Sequence, residues 1–537
     1  MDSVGTVADG GAVRDGAGTV GRDAASERGA APQTLRIHPD DNVVIALRDL
    51  VTGSLLTDPG LGGVRLSGDV RRGHKIATAR IAPGGDVVRY GQCIGEASAA
   101  IAPGDHVHTH NLRMTEHRRT VAPARPRALS PAPRSFQGYR RADGRVGTRN
   151  YLGIITTVNC SGSVARFIAQ AFEREVGPVP GLDGVVPIAH GTGCGMAADD
   201  EGYQALYRTL KGYANHPNFA GVLVVGLGCE VMQVPDLVGE RSIRADGLVR
   251  FMTIQGTGGT RRSVERGVAQ LRQMADLVRG LEREEVPAAA LSVGLQCGGS
   301  DAFSGLTANP ALGYASDLLV ALGGTTILAE TPEIYGADHL LAARATDPTI
   351  AEALRARIAW WEDYTARNGG RMDNNPSPGN KRGGLTTILE KSLGAVAKGG
   401  TAPLTGVYRF AEPVRKPGFA FMDSPGYDPC SVTGQIASGA NLVVFTTGRG
   451  SVSGYKPVPS IKLSTNTPMY QRMSEDMDLD CGDIAEGLAS VEQKGEAILD
   501  LILRTASGAP TRSEALGFGD AEFVPWQIGA TMEAETM

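Results

Sequence analysis

Aromatic side chains are scarce in this chain, cysteines do not come in a paired framework, and no long apolar run exists; each shortage removes a class of function. Aromatics make up 5% of the 537 positions and the net charge is −5. That leaves neither the stacking platforms nor the basic face that nucleic-acid binding requires. No stretch nears the roughly 18 consecutive apolar residues of a membrane-crossing helix. The N-terminus has no basic patch ahead of an apolar core, so it does not read as a secretion signal. Seven cysteines, odd in number and scattered, are not the dense even set of a secreted disulfide scaffold. Reduced thiols in a cytoplasmic protein are expected, with neither nucleic acid nor membrane as partner.

What is present is ordinary globular usage, 42% hydrophobic and 21% charged, at a length that exceeds one core and predicts several domains. Residues 1–32 hold almost no large apolar side chain, cannot repay the entropy of ordering, and are expected to be a disordered tail. Across residues 33–113, short alternating runs such as Asn42-Val43-Val44-Ile45-Ala46-Leu47 are punctuated by glycine, which predicts a small all-β module that folds separately. Residues 114–138, with Pro123, Pro126, Pro131 and Pro133, read as a semi-rigid linker. Beyond Tyr139, strand-like runs alternate with helical patterns at Val164 to Glu175, Arg262 to Glu284, Thr349 to Ala366 and Asp483 to Thr505. The charged helix end Glu282-Arg283-Glu284-Glu285 and Pro287 divide this region into parts at 139–286 and 287–537. The expected fold class is therefore multidomain α+β and α/β: an all-β module followed by two α/β parts with mainly parallel sheets.

Four apolar runs each end on a cysteine set among glycines. Gly153 to Asn159 runs into Cys160, Val185 to His190 into Cys194, Val222 to Gly228 into Cys229, and Leu291 to Gln296 into Cys297. Short β-branched runs of this kind are buried parallel strands, and ligands bind beyond the carboxyl ends of such strands. Free cysteine is also among the most buried residue types, but a common position at strand tips in glycine-rich turns predicts one shared soft-metal or iron–sulfur site. None of the four pairs as Cys-x-x-Cys, which disfavours structural zinc.

Other polar residues stand at strand ends. His190 precedes Gly191-Thr192-Gly193-Cys194-Gly195 and is the expected general base; the glycine spacing is wrong for a dinucleotide fingerprint, so no nicotinamide site is expected. His106, His108 and His110 fall on one face of an extended segment, suited to a metal or a carboxylate. Gln296 to Asp301 and Ser377-Pro378-Gly379-Asn380-Lys381 are polar turns, in which Lys381 is placed to neutralise a substrate carboxylate. Glu330 ends the run Thr325 to Ala329, and Arg449 lies in the turn Thr447-Gly448-Arg449-Gly450.

Five segments carry a family resemblance: Tyr139 to Asn150, Gly226-Leu227-Gly228-Cys229-Glu230, the Cys297 segment through Thr307-Ala308-Asn309-Pro310, the Lys381 segment, and Phe445 to Gly450. They resemble the altronate and galactarate dehydratase family from about Leu35 to the C-terminus, and the β module is similar to the SAF, or β-clip, domain. His106 to Asn111 looks more like the altronate branch, whereas Asp301 to Gly305 and Gly313 to Asp317 look closer to the galactarate branch. The resemblance implies loss of water from a hexonate or hexarate such as D-altronate, giving a 2-keto-3-deoxy acid, with iron as Fe2+ or an iron–sulfur cluster; Mn2+ stays open. It implies catalytic roles for His190, Lys381, Asp301 and Glu330, substrate contacts from His108, His110, Asn380 and Arg449, and metal ligation by Cys160, Cys194, Cys229 and Cys297. Three thiolates with one open iron would suit catalysis better than four. Cys430 and Cys481 fall outside this set, and Cys93 lies in the β module. The expected partner is a small sugar acid, and a homo-oligomer is expected. Galactarate dehydratase, a sulfolactate-type sulfo-lyase and a non-catalytic sugar-acid binder are the alternatives.

Overall fold

A computed structural model describes residues 32–529 apart from 59–60, 62, 116–124, 199 and 239–247, so the tail and the middle of the proline-rich linker lie outside the described residues. The β module consists of small antiparallel sheets. Thr34–Leu35, Val43–Ala46, Lys75–Ala77 and His106–Val107 form one, and Asp86–Arg89, Gln92–Ala97 and Leu112–Arg113 another. Val44, Leu50, Leu56, Leu66, Val70 and Ile76 close a small core within the module. Val43, Ala77, Val87 and Ile94 pack instead into the same apolar cluster as Leu312 and Leu393 of the C-terminal part.

Besides that shared cluster, a buried ion network ties the module to the C-terminal part. Lys75 Nζ lies 2.9 Å from both oxygens of Glu390, and Arg89 pairs with the same carboxylate while also donating to the Ala302 carbonyl at 2.8 Å. The sequence gives little warning of this, because a β-texture records local alternation and not what the module docks against.

Two parallel sheets follow. In the first, β1 (Tyr151–Thr156), β2 (Gly184–Ile188), β3 (Phe219–Gly226) and β4 (Val249–Thr253) lie in the order β2-β1-β3-β4. Every residue of β3 is buried, as expected of a near-continuous apolar run covered on both faces. The second has seven strands: β5 (Ser292–Cys297), β6 (Thr325–Ala329), β7 (Leu404–Tyr408), β8 (Gly418–Met422), β9 (Leu442–Thr447), β10 (Ser460–Ser464) and β11 (Leu479–Asp480), in the order β7-β8-β6-β5-β9-β10-β11. The chain leaves β5 toward β6 and later returns to its other side with β9. The direction of winding thus reverses at β5, which is where α/β sheets open a crevice. The expected fold class is borne out.

The helix expected over Arg262 to Glu284 spans Thr260–Val278 instead. Its charged continuation is the strand Glu284–Pro287, antiparallel to Ser135–Arg140. Cross-strand pairing with a residue 150 positions away is invisible to a local helix pattern. Among the described residues, no helix is long and apolar enough to cross a membrane.

Candidate active site

The carboxyl ends of β5, β6 and β8 converge on a cavity of about 410 Å³ whose wall includes Cys297, Glu333, Arg371, Asn375, Asn380, Lys391 and Asp428. Cys297 is the last residue of β5, and Glu330 follows β6 directly with φ 72°, a left-handed conformation that costs a non-glycine residue backbone strain. Glu333 lies in the short turn after it, Lys391 on α1 (Ile388–Val396), and Asp428 at the start of α2 (Asp428–Ala437). All nine residues of α1 are buried, so the charges of Glu390 and Lys391 sit in a mostly apolar helix.

The buried groups behind the cavity wall form one electrostatic unit. Lys398 Nζ lies 2.7 Å from Cys297 Sγ, and Lys391 pairs with Glu333. Burial pushes the Cys297 thiol up to about 11, against the pull of Lys398. Glu330 and Glu333 divide one proton. Burial and the neighbouring Glu333 charge hold Glu330 well above the usual carboxylate range, and neither of its oxygens has a donor to accept from. Burial acts on Glu333 in the same direction, but Lys391 and Lys398 outweigh it and keep that carboxyl below its ordinary value. Asp428 is raised to about 6 by burial and by Glu333, and its Oδ1 accepts from Gln296 at 2.9 Å. Two carboxyls driven apart in proton affinity beside a polar cavity are the arrangement that separates an acid from a base.

Cys297, Glu330 and Glu333 also place ligand atoms within 4.8 Å of one another. Two ammonium groups already sit on the donors a cation would use, Lys398 on the sulfur and Lys391 on Glu333. The donor set therefore suits proton transfer better than metal ligation.

A second cavity, about 330 Å³, opens between the β module and the short helix Pro378–Arg382, lined by His74, His106, His108, Lys381 and Arg382. The rings of His74, His106 and His108 lie 5.0 to 5.5 Å apart, and His110 is 5.4 Å from His106. Burial lowers His106 to about 3 and His108 to about 4, so these rings are neutral.

Three family models together match most of the chain. Residues 32–115 match the altronate/galactarate dehydratase SAF domain, 138–279 the second domain of D-galactarate dehydratase/altronate hydrolase, and 288–531 the C-terminal domain of D-galactarate/altronate dehydratase. The altronate dehydratase of Escherichia coli is 37% identical over 511 residues, 93% of this chain and 100% of that protein. The chain belongs to the altronate/galactarate dehydratase family. Altronate dehydratase of Bacillus subtilis is 35% identical over 93% of this chain and 99% of its own length. The L-threo-forming galactarate dehydratase of Escherichia coli is 37% identical over 88% and 92%.

In this family member the structure brings together only part of the expected site. Glu330 and Cys297 belong to the cluster, and Asn380 lines the cavity while its side chain donates to the Ser300 carbonyl at 2.8 Å. His190 does not serve as expected. It is buried, its Nδ1 accepts from Thr192 N at 3.3 Å, its Nε2 donates to the Thr156 carbonyl at 3.0 Å, and burial lowers it to about 4. Both nitrogens are spent on the backbone, which makes it a loop brace and not a base. Asp301 is likewise consumed, accepting from Ser304 N at 2.9 Å, Thr465 Oγ1 at 2.9 Å and Asn466 Nδ2 at 3.1 Å.

Lys381 faces the histidine cavity with His108, whose Nε2 contacts the Lys381 carbonyl at 3.0 Å; its side chain is not part of the first cavity's wall. His110 contacts His106 and Arg449 is exposed, both outside that wall. The four cysteines divide. Cys160, Cys194 and Cys229 lie exposed beyond β1, β2 and β3, whereas Cys297 is buried at the end of β5 in the other sheet. Sequence reasoning missed Glu333, Lys391, Lys398, Asp428 and His74. The adjacent charges Glu390-Lys391 inside the apolar run of α1 were the available signal.

Proposed function

We propose that this chain is a sugar-acid hydro-lyase that dehydrates a hexonate, with D-altronate the first candidate, in the cavity at the carboxyl ends of β5, β6 and β8. The observation that carries this reading is the Glu330–Glu333 pair, one carboxyl raised and one lowered, with Glu333 on the cavity wall. Sugar-acid dehydration needs a base for the proton α to the carboxylate, cations for the enediolate that forms, and an acid for the departing hydroxyl. Arg371 and Asn375 line the cavity as partners for the substrate carboxylate and hydroxyls, while Asn380 caps its own helix. Glu333, held ionised, takes the α-proton, and the Lys391 ammonium beside it stabilises the developing negative charge. Asp428, with its proton affinity raised to about 6, hands a proton to the C3 hydroxyl, which leaves as water. The resulting enol tautomerises to the 2-keto-3-deoxy acid.

Full-length agreement with altronate dehydratases supports a hexonate over a hexarate. Iron is the proposed cofactor, and the thiols that suit it are Cys160, Cys194 and Cys229, outside the cavity wall, rather than the lysine-covered cluster. A cytoplasmic homo-oligomer is the proposed setting. The test is a keto-acid assay over aldonic and aldaric acids under anaerobic, iron-replete conditions, with Glu333→Gln alongside. We expect a 2-keto product from altronate and turnover below about one-hundredth in the variant. No product from any acid, or full activity in Glu333→Gln, overturns the reading.

A further inference from the structure

A cavity of about 680 Å³ lies at the amino ends of β5 and β6, away from the candidate active site at their carboxyl ends. One side of it is the helix Glu201–Ala214, and the other belongs to the C-terminal part. Arg145, Arg208, Lys211 and Arg415 stand in its wall, and no Asp or Glu does. Asp and Glu outnumber Lys and Arg by 58 to 53 over the chain, so a wall of one positive sign is a local feature and not a sample of the whole surface.

Two of these cations are already engaged. Arg145 pairs with Asp143 at 2.6 Å and Arg208 with Glu201 at 3.6 Å, both carboxylates lying outside the wall, and Arg208 Nε also donates to the Phe410 carbonyl at 2.9 Å. Lys211 and Arg415 form no ion pair within 4.0 Å among the described residues; the Lys211 ammonium stands 5.4 Å from the centre of the Tyr207 ring. The frame around them is fixed. Asn441 is buried and fastens three wall segments, donating to the Val146 and Ala290 carbonyls at 3.2 Å each and accepting from Ser292 N at 3.0 Å. Gly212 lets the helix Glu201–Ala214 press against α2, since a Cβ there would lie 2.3 Å from the Ala437 carbonyl oxygen. A preformed cavity with an apolar body and a few convergent charges is the form of a small-molecule site.

The two cavities stand at opposite ends of the same elements. β5 begins at Ser292 in this wall and ends at Cys297 in the other, and α2 begins at Asp428 in the active-site wall and ends at Ala437 in this one. Elements of these lengths put the cavities roughly 15–20 Å apart. We propose that the cavity between the helix Glu201–Ala214 and the C-terminal part is a second ligand site, for a small polyanion such as a phosphate ester or a polycarboxylate, whose occupancy is transmitted along α2 to Asp428. An anion held between Lys211 and Arg415 draws the helix Glu201–Ala214 toward the Arg415 loop. The Gly212–Ala437 contact carries that movement into α2, because closely packed surfaces shift together and do not deform continuously. Transmission rests on Asp428 being the acid of the proposed reaction, whereas binding does not.

The full chain is titrated by calorimetry with AMP, pyrophosphate and citrate, which separates phosphate from carboxylate sources. At least one should bind with a dissociation constant on the order of 10–100 µM. The double variant Lys211→Glu with Arg415→Glu should weaken it by about tenfold or more, while Arg371→Gln, in the other cavity, should leave it unchanged. Circular dichroism matching the parent separates loss of the site from misfolding. In altronate turnover the bound anion should change kcat/KM by about fivefold or more in the parent and leave the double variant unaffected, with the anion-free activity of that variant at the parent level. No binding by any of the three anions, equal binding in the double variant, or loss of binding in Arg371→Gln overturns the site. Binding with unchanged turnover overturns the transmission to Asp428. Calorimetry needs no turnover, so failure of the hydro-lyase reading leaves the test of the site intact.

Discussion

Replacing Glu390 by glutamine tests whether the β module is held to the C-terminal part by a buried charge network. The carboxylate is fully buried and accepts from Lys75 Nζ, Arg89, Thr386 N at 2.8 Å and Thr386 Oγ1 at 2.6 Å. Burial alone would raise its proton affinity, but Lys75 and Arg89 outweigh that and draw it from 4.5 down to about 2. A displacement of that size corresponds to roughly 3 kcal/mol at neutral pH. It agrees with the about 3–5 kcal/mol lost when one partner of a buried pair is removed and the other charge is stranded.

Because the folded value lies below the unfolded one, this contribution is present above about pH 4.5 and disappears as the pH falls toward 2. Glu390→Gln should therefore lose about 3 kcal/mol in urea unfolding at pH 7, release the module to trypsin, and converge with the parent on acidification. A triple variant, Lys75→Met with Arg89→Leu and Glu390→Leu, should recover most of the loss, since apolar groups of similar size remove the stranded charges. Stability within about 0.5 kcal/mol of the parent in Glu390→Gln alone would refute the reasoning, because that is the range of a surface substitution.

Asp428→Asn should lower kcat by about a hundredfold or more with KM little changed, the loss expected for a general acid; the fall in kcat/KM above pH 6 in the parent should vanish in the variant, and an unaltered pH profile would remove Asp428 from the reaction. Iodoacetamide at pH 8 should alkylate Cys160, Cys194 and Cys229 in metal-free protein and spare buried Cys297, Cys430 and Cys481, as read by peptide mass spectrometry; rapid labelling of Cys297 would contradict its burial beneath Lys398. His190 should make stability fall as the pH drops from its unfolded value near 6.5 toward 4, because the buried ring resists protonation in the folded state; His190→Gln should flatten that part of the stability profile.

Local pattern alone determined the strand tips. Runs such as Val222 to Gly228 are apolar without alternation, so they had to be buried parallel strands, and the cysteine-bearing turns after them had to lie on the edge where ligands enter. The all-β texture of the first eighty or so described residues was equally local. Tertiary structure decided what depends on which surfaces meet. It assigned Cys160, Cys194 and Cys229 to one sheet and Cys297 to another, a partition that strand periodicity does not encode. It spent His190 and Asp301 on backbone and loop contacts, because a polar group taken from water must find partners wherever the fold leaves it. Likewise it buried Glu390 and Lys391 on α1, where the first anchors the module and the second arms Glu333. A charged side chain in a sequence reads as surface; only packing shows that its counter-charge, some 58 or 315 residues away, has been brought to meet it in a medium of low dielectric.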